Sequence, residues 1–215
     1  MIAPTRVAAV VLAAGEGQRF GAHKQFALLA GTRLVDRAVA LVKQVCSSVV
    51  LVLPAGVEWD GPAVDRVAIG GKSRSESLRN AVAALPADER TVVIHDPARP
   101  LVTDRTLHAL IEAITRGADA AMPVWPSPDM IKRRAADATL EHVGREGYVI
   151  AASPSACRLS ALRAALERFD GDFPDETAVI AANGGNIVGV PGDRWSHHVV
   201  DGRDLRLIEK LIDSV

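Results

Sequence analysis

The segment Ala13-Ala14-Gly15-Glu16-Gly17-Gln18-Arg19-Phe20-Gly21-Ala22-His23-Lys24-Gln25 follows directly on the apolar run Val7 to Leu12 and carries two cations, Arg19 and Lys24, five positions apart. Glycines let a chain turn tightly and bring main-chain N–H groups against phosphate oxygens with no Cβ in the way, and the two cations add full positive charge. This is the chemistry of a nucleotide triphosphate cradle, although a strand-to-helix turn with two solvated cations would share its composition. Spacing sets two other phosphate motifs aside. Gly15, Gly17 and Gly21 are spaced G-x-G-x-x-x-G, whereas a dinucleotide fold needs G-x-G-x-x-G and an acidic residue near the end of the next strand, where this chain has Pro54-Ala55-Gly56. Gly71-Lys72-Ser73 matches the end of a P-loop, but Arg66 stands where that motif requires its first glycine. Neither NAD binding nor a P-loop ATPase is expected.

Two further segments hold groups with chemical potential. Asp96 follows the run Thr91 to His95, a position where a carboxylate has no packing role, with a turn cap before Thr103 as the structural alternative. Gly70-Gly71-Lys72-Ser73-Arg74-Ser75-Glu76-Ser77 joins another tight glycine turn to a helical stretch. The first loop resembles the nucleotidyltransferase signature L-x-x-G-x-G-x-R followed by lysine, and Lys24-Gln25-Phe26 fits a K-Q-aromatic continuation. The Gly70 segment resembles G-G-x-x-R-x-x-S, and His95-Asp96-Pro97-Ala98-Arg99-Pro100 is close to H-D-A-A-R-P. In these segments the chain is similar to the 2-C-methyl-D-erythritol 4-phosphate cytidylyltransferase family, nucleotidyltransferases of glycosyltransferase-A-like fold. The similarity runs from about Val7 to Leu211, strong in the first half and thinner in the second.

The resemblance implies a reaction in which an acceptor phosphate oxygen attacks the α-phosphorus of CTP and pyrophosphate leaves. The acceptor is already an anion near neutral pH, so positioning and electrostatic stabilisation are the main terms. By this resemblance Arg19 and Lys24 converge on the phosphorus, Ala14, Gly15 and Gly17 cradle the triphosphate, and Asp96 holds Mg2+ at the junction of nucleotide and acceptor. Magnesium is expected to be bound largely by phosphates and water. Base recognition falls on the backbone of Ala13, Gly70 and Gly71 and on the Ser77 hydroxyl, which could instead be an exposed group on a helix face. Arg74 is expected to anchor the same turn and Arg99 to tie down the Asp96 loop. Lys72 stands where the family often has an acidic residue, which leaves the ribose contact open.

At the acceptor end, Arg145 matches an arginine that reaches the acceptor phosphate from a partner subunit. Asp129-Met130-Ile131-Lys132 resembles D-T-x-K, with Met130 in place of the threonine and Asp129 and Lys132 as acceptor contacts. Ser153-Pro154-Ser155 stands for a T-P-Q element. His198 replaces the lysine of a K-[VI]-T segment, either as a catalytic substitute or as a strand histidine without a role, and an imidazole is only partly charged at neutral pH. The acceptor is therefore read as methylerythritol phosphate first, with ribitol phosphate or another small phosphate or phosphonate as the alternative. A catalytically weak nucleotide-binding regulatory paralogue is the alternative of another class.

These residues need a scaffold. Short apolar runs at Val7–Leu12, Val49–Leu53, Val67–Ile69, Thr91–His95, Ala118–Val124 and Asn186–Val190 alternate with stretches of helical spacing at Thr32–Val45, Ser73–Leu85, Thr103–Thr115, Ser160–Phe169, Asp175–Ala182 and Arg203–Ile212. Alternation of this kind predicts an α/β fold, a mostly parallel Rossmann-like sheet with helices on both faces, and ligands bound beyond the carboxyl ends of the strands. Residues 125–152 break the alternation and are too long for an ordinary connection. The family resemblance implies a projecting β-arm there that makes a homodimer, within a single nucleotidyltransferase domain over residues 1–215.

With 215 residues, 48% of them apolar, the chain can bury one substantial core. A formal net charge of −1 and the lack of a basic stripe interleaved with aromatics argue against nucleic acid as a partner. The ligand should be small. Two cysteines, Cys46 and Cys157, are too few for a disulfide framework and read as buried packing residues in a reducing compartment. With neither a signal-peptide pattern nor a membrane span in the sequence, the expected location is the cytoplasm.

Overall fold

The computed structural model describes residues 6–15, 17, 20–21 and 23–212. The chain runs through β1 (Val7–Leu12), a 3-10 turn at Lys24–Phe26, β2 (Leu28–Leu29), β3 (Thr32–Arg33), α1 (Leu34–Lys43), β4 (Ser48–Leu53), β5 (Arg66–Ile69), α2 (Arg74–Ala84), β6 (Thr91–His95) and α3 (Asp104–Thr115). It continues through β7 (Ala120–Pro126), β8 (Lys132–Arg134), β9 (Leu140–His142), β10 (Val149–Ala151), β11 (Ser155–Arg158), α4 (Leu159–Arg168), α5 (Glu176–Ala182), β12 (Ile187–Pro191) and α6 (Gly202–Ile212).

Among the described residues the main sheet has eight strands in the order β10-β7-β11-β6-β1-β4-β5, with β12 also on β7. The run β6-β1-β4-β5 is parallel throughout, and β12 lies parallel to β7. β11 inserts antiparallel between β6 and β7, and β10 pairs antiparallel with the far end of β7. β1 and β4 are buried on both faces, which explains why they read as continuous apolar runs rather than alternating ones. Val7, Ala9 and Val11 pack on one side under Val35, Val39 and Val42 of α1 and Leu107 and Leu110 of α3. Ala8 and Val10 pack on the other side under Leu78 and Ala81 of α2, Leu159 and Leu162 of α4 and Ile180 of α5.

Two elements differ from the sequence expectation. The helix expected from Thr32 starts at Leu34, because Thr32 and Arg33 pair back on Leu28 and Leu29 across a turn in which Ala30 and Gly31 both take positive φ, 47° and 76°. That turn geometry normally signals itself as Asn-Gly or Asp-Gly, and alanine hides it. β11 has no counterpart among the expected elements: Ser-Ala-Cys-Arg is too short to show a period, and pairing on both sides makes it a strand. The break at residues 125–152 corresponds to the exposed β8–β9 hairpin and to β10. α5 begins with the Asp175 carboxylate accepting from the N–H groups of Thr177 and Ala178 and ends at Gly184 with φ of 80°. Cys157 is fully buried, and Cys46 is partly buried, packed against the first core. No described helix is long and apolar enough to cross a membrane.

A third, smaller core of Leu29, Leu34, Ala98, Val199 and Ile208 joins the β2–β3 hairpin, the loop after β6 and α6. The Val199 N–H donates to the Ala98 carbonyl at 2.8 Å. This packing holds the C-terminal segment against the loop that carries Asp96.

Candidate active site

An open cleft of about 930 Å3 lies beyond the carboxyl ends of β1, β4, β5 and β6. Ala13, Ala14, Gly15 and Gly17 line it after β1, Gly70 and Gly71 after β5, and Asp96 after β6, with Lys24 reaching in from the 3-10 turn. Parallel strands bring these turns to one edge of the sheet, which places the three motifs side by side. Arg19, expected to act beside Lys24, lies outside the described residues.

The glycine turns are built by close approach. A Cβ on Gly70 would stand 2.2 Å from the Ala14 Cβ and 3.3 Å from the Ser77 Oγ, so only glycine lets the β1 and β5 turns meet. Gly70→Ala is expected to push these turns apart, weakening nucleotide binding and lowering the melting temperature by about 2–12 °C, the shift that corresponds to the roughly 1–3 kcal/mol typical of overpacking. Thermal melts with and without nucleotide check this, and an unchanged melt would mean that the turns are free to move.

Ser77 is buried rather than exposed on its helix. Its Oγ accepts the Gly71 N–H at 3.0 Å and donates to the Ser73 carbonyl at 2.9 Å. The N–H groups of Ala13 and Gly70 are likewise taken, by the carbonyls of Val52 and Leu53. The main-chain donors of Ala13, Gly70 and Gly71 are therefore committed inside the protein, and these residues can offer a base only their carbonyls. Arg74 does not anchor the Gly70-Gly71 turn. Its Nη2 donates to the buried Glu176 carboxylate at 2.6 Å, tying α2 to α5. Arg99 donates from Nη1 to the Ser196 carbonyl at 2.6 Å, fastening the Asp96 loop to the segment before His198.

Lys24, Asp96 and His198 meet at the other end of the cleft. Lys24 Nζ lies 3.1 Å from His198 Nε2 and donates to the Val199 carbonyl at 3.1 Å. The same Nε2 lies 3.4 Å from Asp96 Oδ2. An imidazole nitrogen either accepts, as from the ammonium, or donates, as to the carboxylate, so the two partners compete for one atom. Asp96 Oδ1 accepts the Ala98 N–H at 2.9 Å, and the Asp96 N–H donates to the Ser153 Oγ at 3.0 Å. Burial alone would raise the Asp96 pKa, but the His198 hydrogen bond, the Ala98 N–H and the Lys24 charge outweigh it and hold it at about 2. The side chains of His198 and Asp96 remain 34% and 38% exposed, so a ligand in the cleft can reach both.

Asp96 and Glu76 are the carboxylates lining the cleft among the described residues, and no group of three or more His, Cys, Asp or Glu is placed to hold a metal by itself. Such a donor set suits a hard cation that takes most of its ligands from substrate phosphates and water. The arm residues stand apart from this site. Asp129, Lys132 and Arg145 are exposed, Lys132 Nζ lies 3.3 Å from His142 Nδ1, and Arg145 donates from Nη1 to the Pro128 carbonyl at 3.3 Å. The structure brings none of the three to the cleft of their own chain.

A family model described as IspD, 2-C-methyl-D-erythritol 4-phosphate cytidylyltransferase, matches residues 7–214. The chain is 34% identical to the 2-C-methyl-D-erythritol 4-phosphate cytidylyltransferase of Deinococcus radiodurans over 98% of this chain and 91% of that protein. It is 34% identical to a bifunctional enzyme IspD/IspF of Granulibacter bethesdensis, of whose length it spans 56%. The crystal structure of 2-C-methyl-D-erythritol 4-phosphate cytidylyltransferase from Thermus thermophilus superposes with a TM-score of 0.82 at 26% identity, covering 97% of this chain and 99% of that one.

Proposed function

From the premise that the chain belongs to the 2-C-methyl-D-erythritol 4-phosphate cytidylyltransferase family, we propose that it transfers CMP from CTP to 2-C-methyl-D-erythritol 4-phosphate and releases pyrophosphate, a step of isoprenoid precursor biosynthesis. The observation that carries this reading is the meeting of Lys24, Asp96 and the two glycine turns in one cleft. An oxygen of the acceptor phosphate attacks the α-phosphorus, and the bond to the bridging oxygen breaks as pyrophosphate departs. No proton has to be removed from the nucleophile. The chain's part is to bring two anions together and to offset the charge spread over the transferring phosphorus. Lys24 supplies that charge, held over the site by His198 and Val199. Asp96 would hold Mg2+, which when bound neutralises triphosphate oxygens.

Carbonyls at Ala13, Gly70 and Gly71 suit the amino donor of cytosine and repel the carbonyl that uracil presents at the same edge. The test is pyrophosphate release from CTP and from UTP against a panel of polyol phosphates. Turnover with CTP and methylerythritol phosphate is expected, and equal use of UTP would refute the base reading. Ribitol phosphate or another small phosphate is the second reading of the acceptor, favoured by Met130 and His198, which depart from the family pattern at that end.

The exposed apolar side chains of the arm, Met130, Leu140, Tyr148 and Val149, support a homodimer in which the arm covers a partner and presents Arg145 to its cleft. Mixing an Arg145→Ala chain with a Lys24→Ala chain is then expected to restore activity, since each heterodimer holds one intact composite site. No recovery despite subunit exchange shown by mass spectrometry would mean that each site is built within one chain.

A further inference from the structure

We propose that Glu76 reads the ribose of the nucleotide, a specificity role that rests on the CTP reading above. A ribose presents two neighbouring hydroxyls, each able to donate a hydrogen bond, and a carboxylate with its several lone pairs is the side chain that accepts both. Lys72, the residue after the glycine pair, is a donor only and cannot do this.

The structure supplies the acceptor four residues on. Glu76 lines the cleft, and its side chain folds back over the glycine turn so closely that a Cβ on Gly71 would stand 2.2 Å from its Cγ and 2.5 Å from its Cδ. Its Oε2 accepts the Lys72 N–H at 2.8 Å, while its own N–H donates to the Ser73 Oγ at 3.2 Å. These bonds fix the carboxylate in place and leave most of its accepting capacity unspent. Asp96, the other carboxylate that lines the cleft among the described residues, is engaged at the opposite end with His198 and the Ala98 N–H. A nucleotide with its base at Gly70 and Gly71 and its phosphates at the glycine loop and Lys24 would span the cleft with its sugar between the two ends, and Glu76 is the described carboxylate beside the base turn.

A helix cap alone would also put a glutamate here, since Ser73 and Glu76 satisfy donors at the start of α2. The distinguishing quantity is the ratio of kcat/KM for CTP to that for 2′-deoxy-CTP and 3′-deoxy-CTP, because a lost cap weakens all three nucleotides alike. Hydrogen bonds to a charged group predict that the unaltered protein favours CTP by about tenfold to a hundredfold. Glu76→Ala should bring the ratio to near one, and Glu76→Gln, which keeps an acceptor for the Lys72 N–H, should give an intermediate value. A Glu76→Ala variant that loses activity while keeping the ratio would overturn the proposal, as would an unaltered protein that does not discriminate. If Glu76→Ala does not fold, the ratio for Glu76→Gln decides, with an unchanged value counting against the role. Calorimetric binding of CTP and its deoxy analogues carries the same comparison if no acceptor is turned over, so failure of the transfer reading and failure of the ribose reading remain separate results.

Discussion

Lys24→Ala is expected to lower kcat by about 10²–10³, the loss typical of one preorganised electrostatic donor, while CTP affinity stays within roughly tenfold. The asymmetry follows from where the ammonium is held. His198 Nε2 and the Val199 carbonyl hold it over the cleft, near enough to Asp96 for its charge to help lower that carboxyl's pKa. A contact that strengthens as negative charge spreads over the transferring phosphorus counts most in the transition state. Steady-state rates paired with calorimetric CTP binding check this, and an unchanged kcat would remove Lys24 from the chemistry. Removing the side chain also releases His198 from one of its two competing contacts, so a structure of the variant should show the ring settled on Asp96.

Asp96→Asn is expected to cost turnover on the same scale, about 10²–10³, for a different reason. The amide oxygen can keep the bond from the Ala98 N–H, so the loop keeps its shape, but the negative charge is gone. The carboxyl is held at about 2 in the protein, and at neutral pH it is therefore anionic, the form a hard cation requires. The variant should need a higher magnesium concentration for half-maximal rate. Rates measured across a magnesium titration decide it. An unchanged magnesium dependence with unchanged turnover would leave Asp96 as a turn cap.

Much of this was legible in the chain itself. Glycines at Gly15, Gly17, Gly70 and Gly71, the cations around them and the carboxylate at Asp96 are local patterns, each written within a few residues. Strands such as β1 and β4, buried on both faces, must be continuously apolar, and helices such as α1 and α3 must repeat their apolar residues every three or four positions. The sheet class and the edge where ligands sit therefore follow from periodicity.

What the sequence did not determine are the contacts made across long separations and the fate of individual donors. β11 exists because β6 and β7 pair with it, and the turn through Ala30 exists because the hairpin and α6 hold it; neither has a local signature. The N–H groups of Ala13 and Gly70 could be assigned to a base from sequence, and the fold assigns them to Val52 and Leu53. Arg74 turns to Glu176, 102 residues away, and Lys24 finds His198 across a separation of 174. Which residue types stand at the edge of the sheet is written along the chain, because turn chemistry and strand burial are properties of sequence neighbours. Which of their polar atoms are already spent and which still face the cleft depends on the folded packing, because a hydrogen bond is satisfied by whatever that packing brings within about 3 Å.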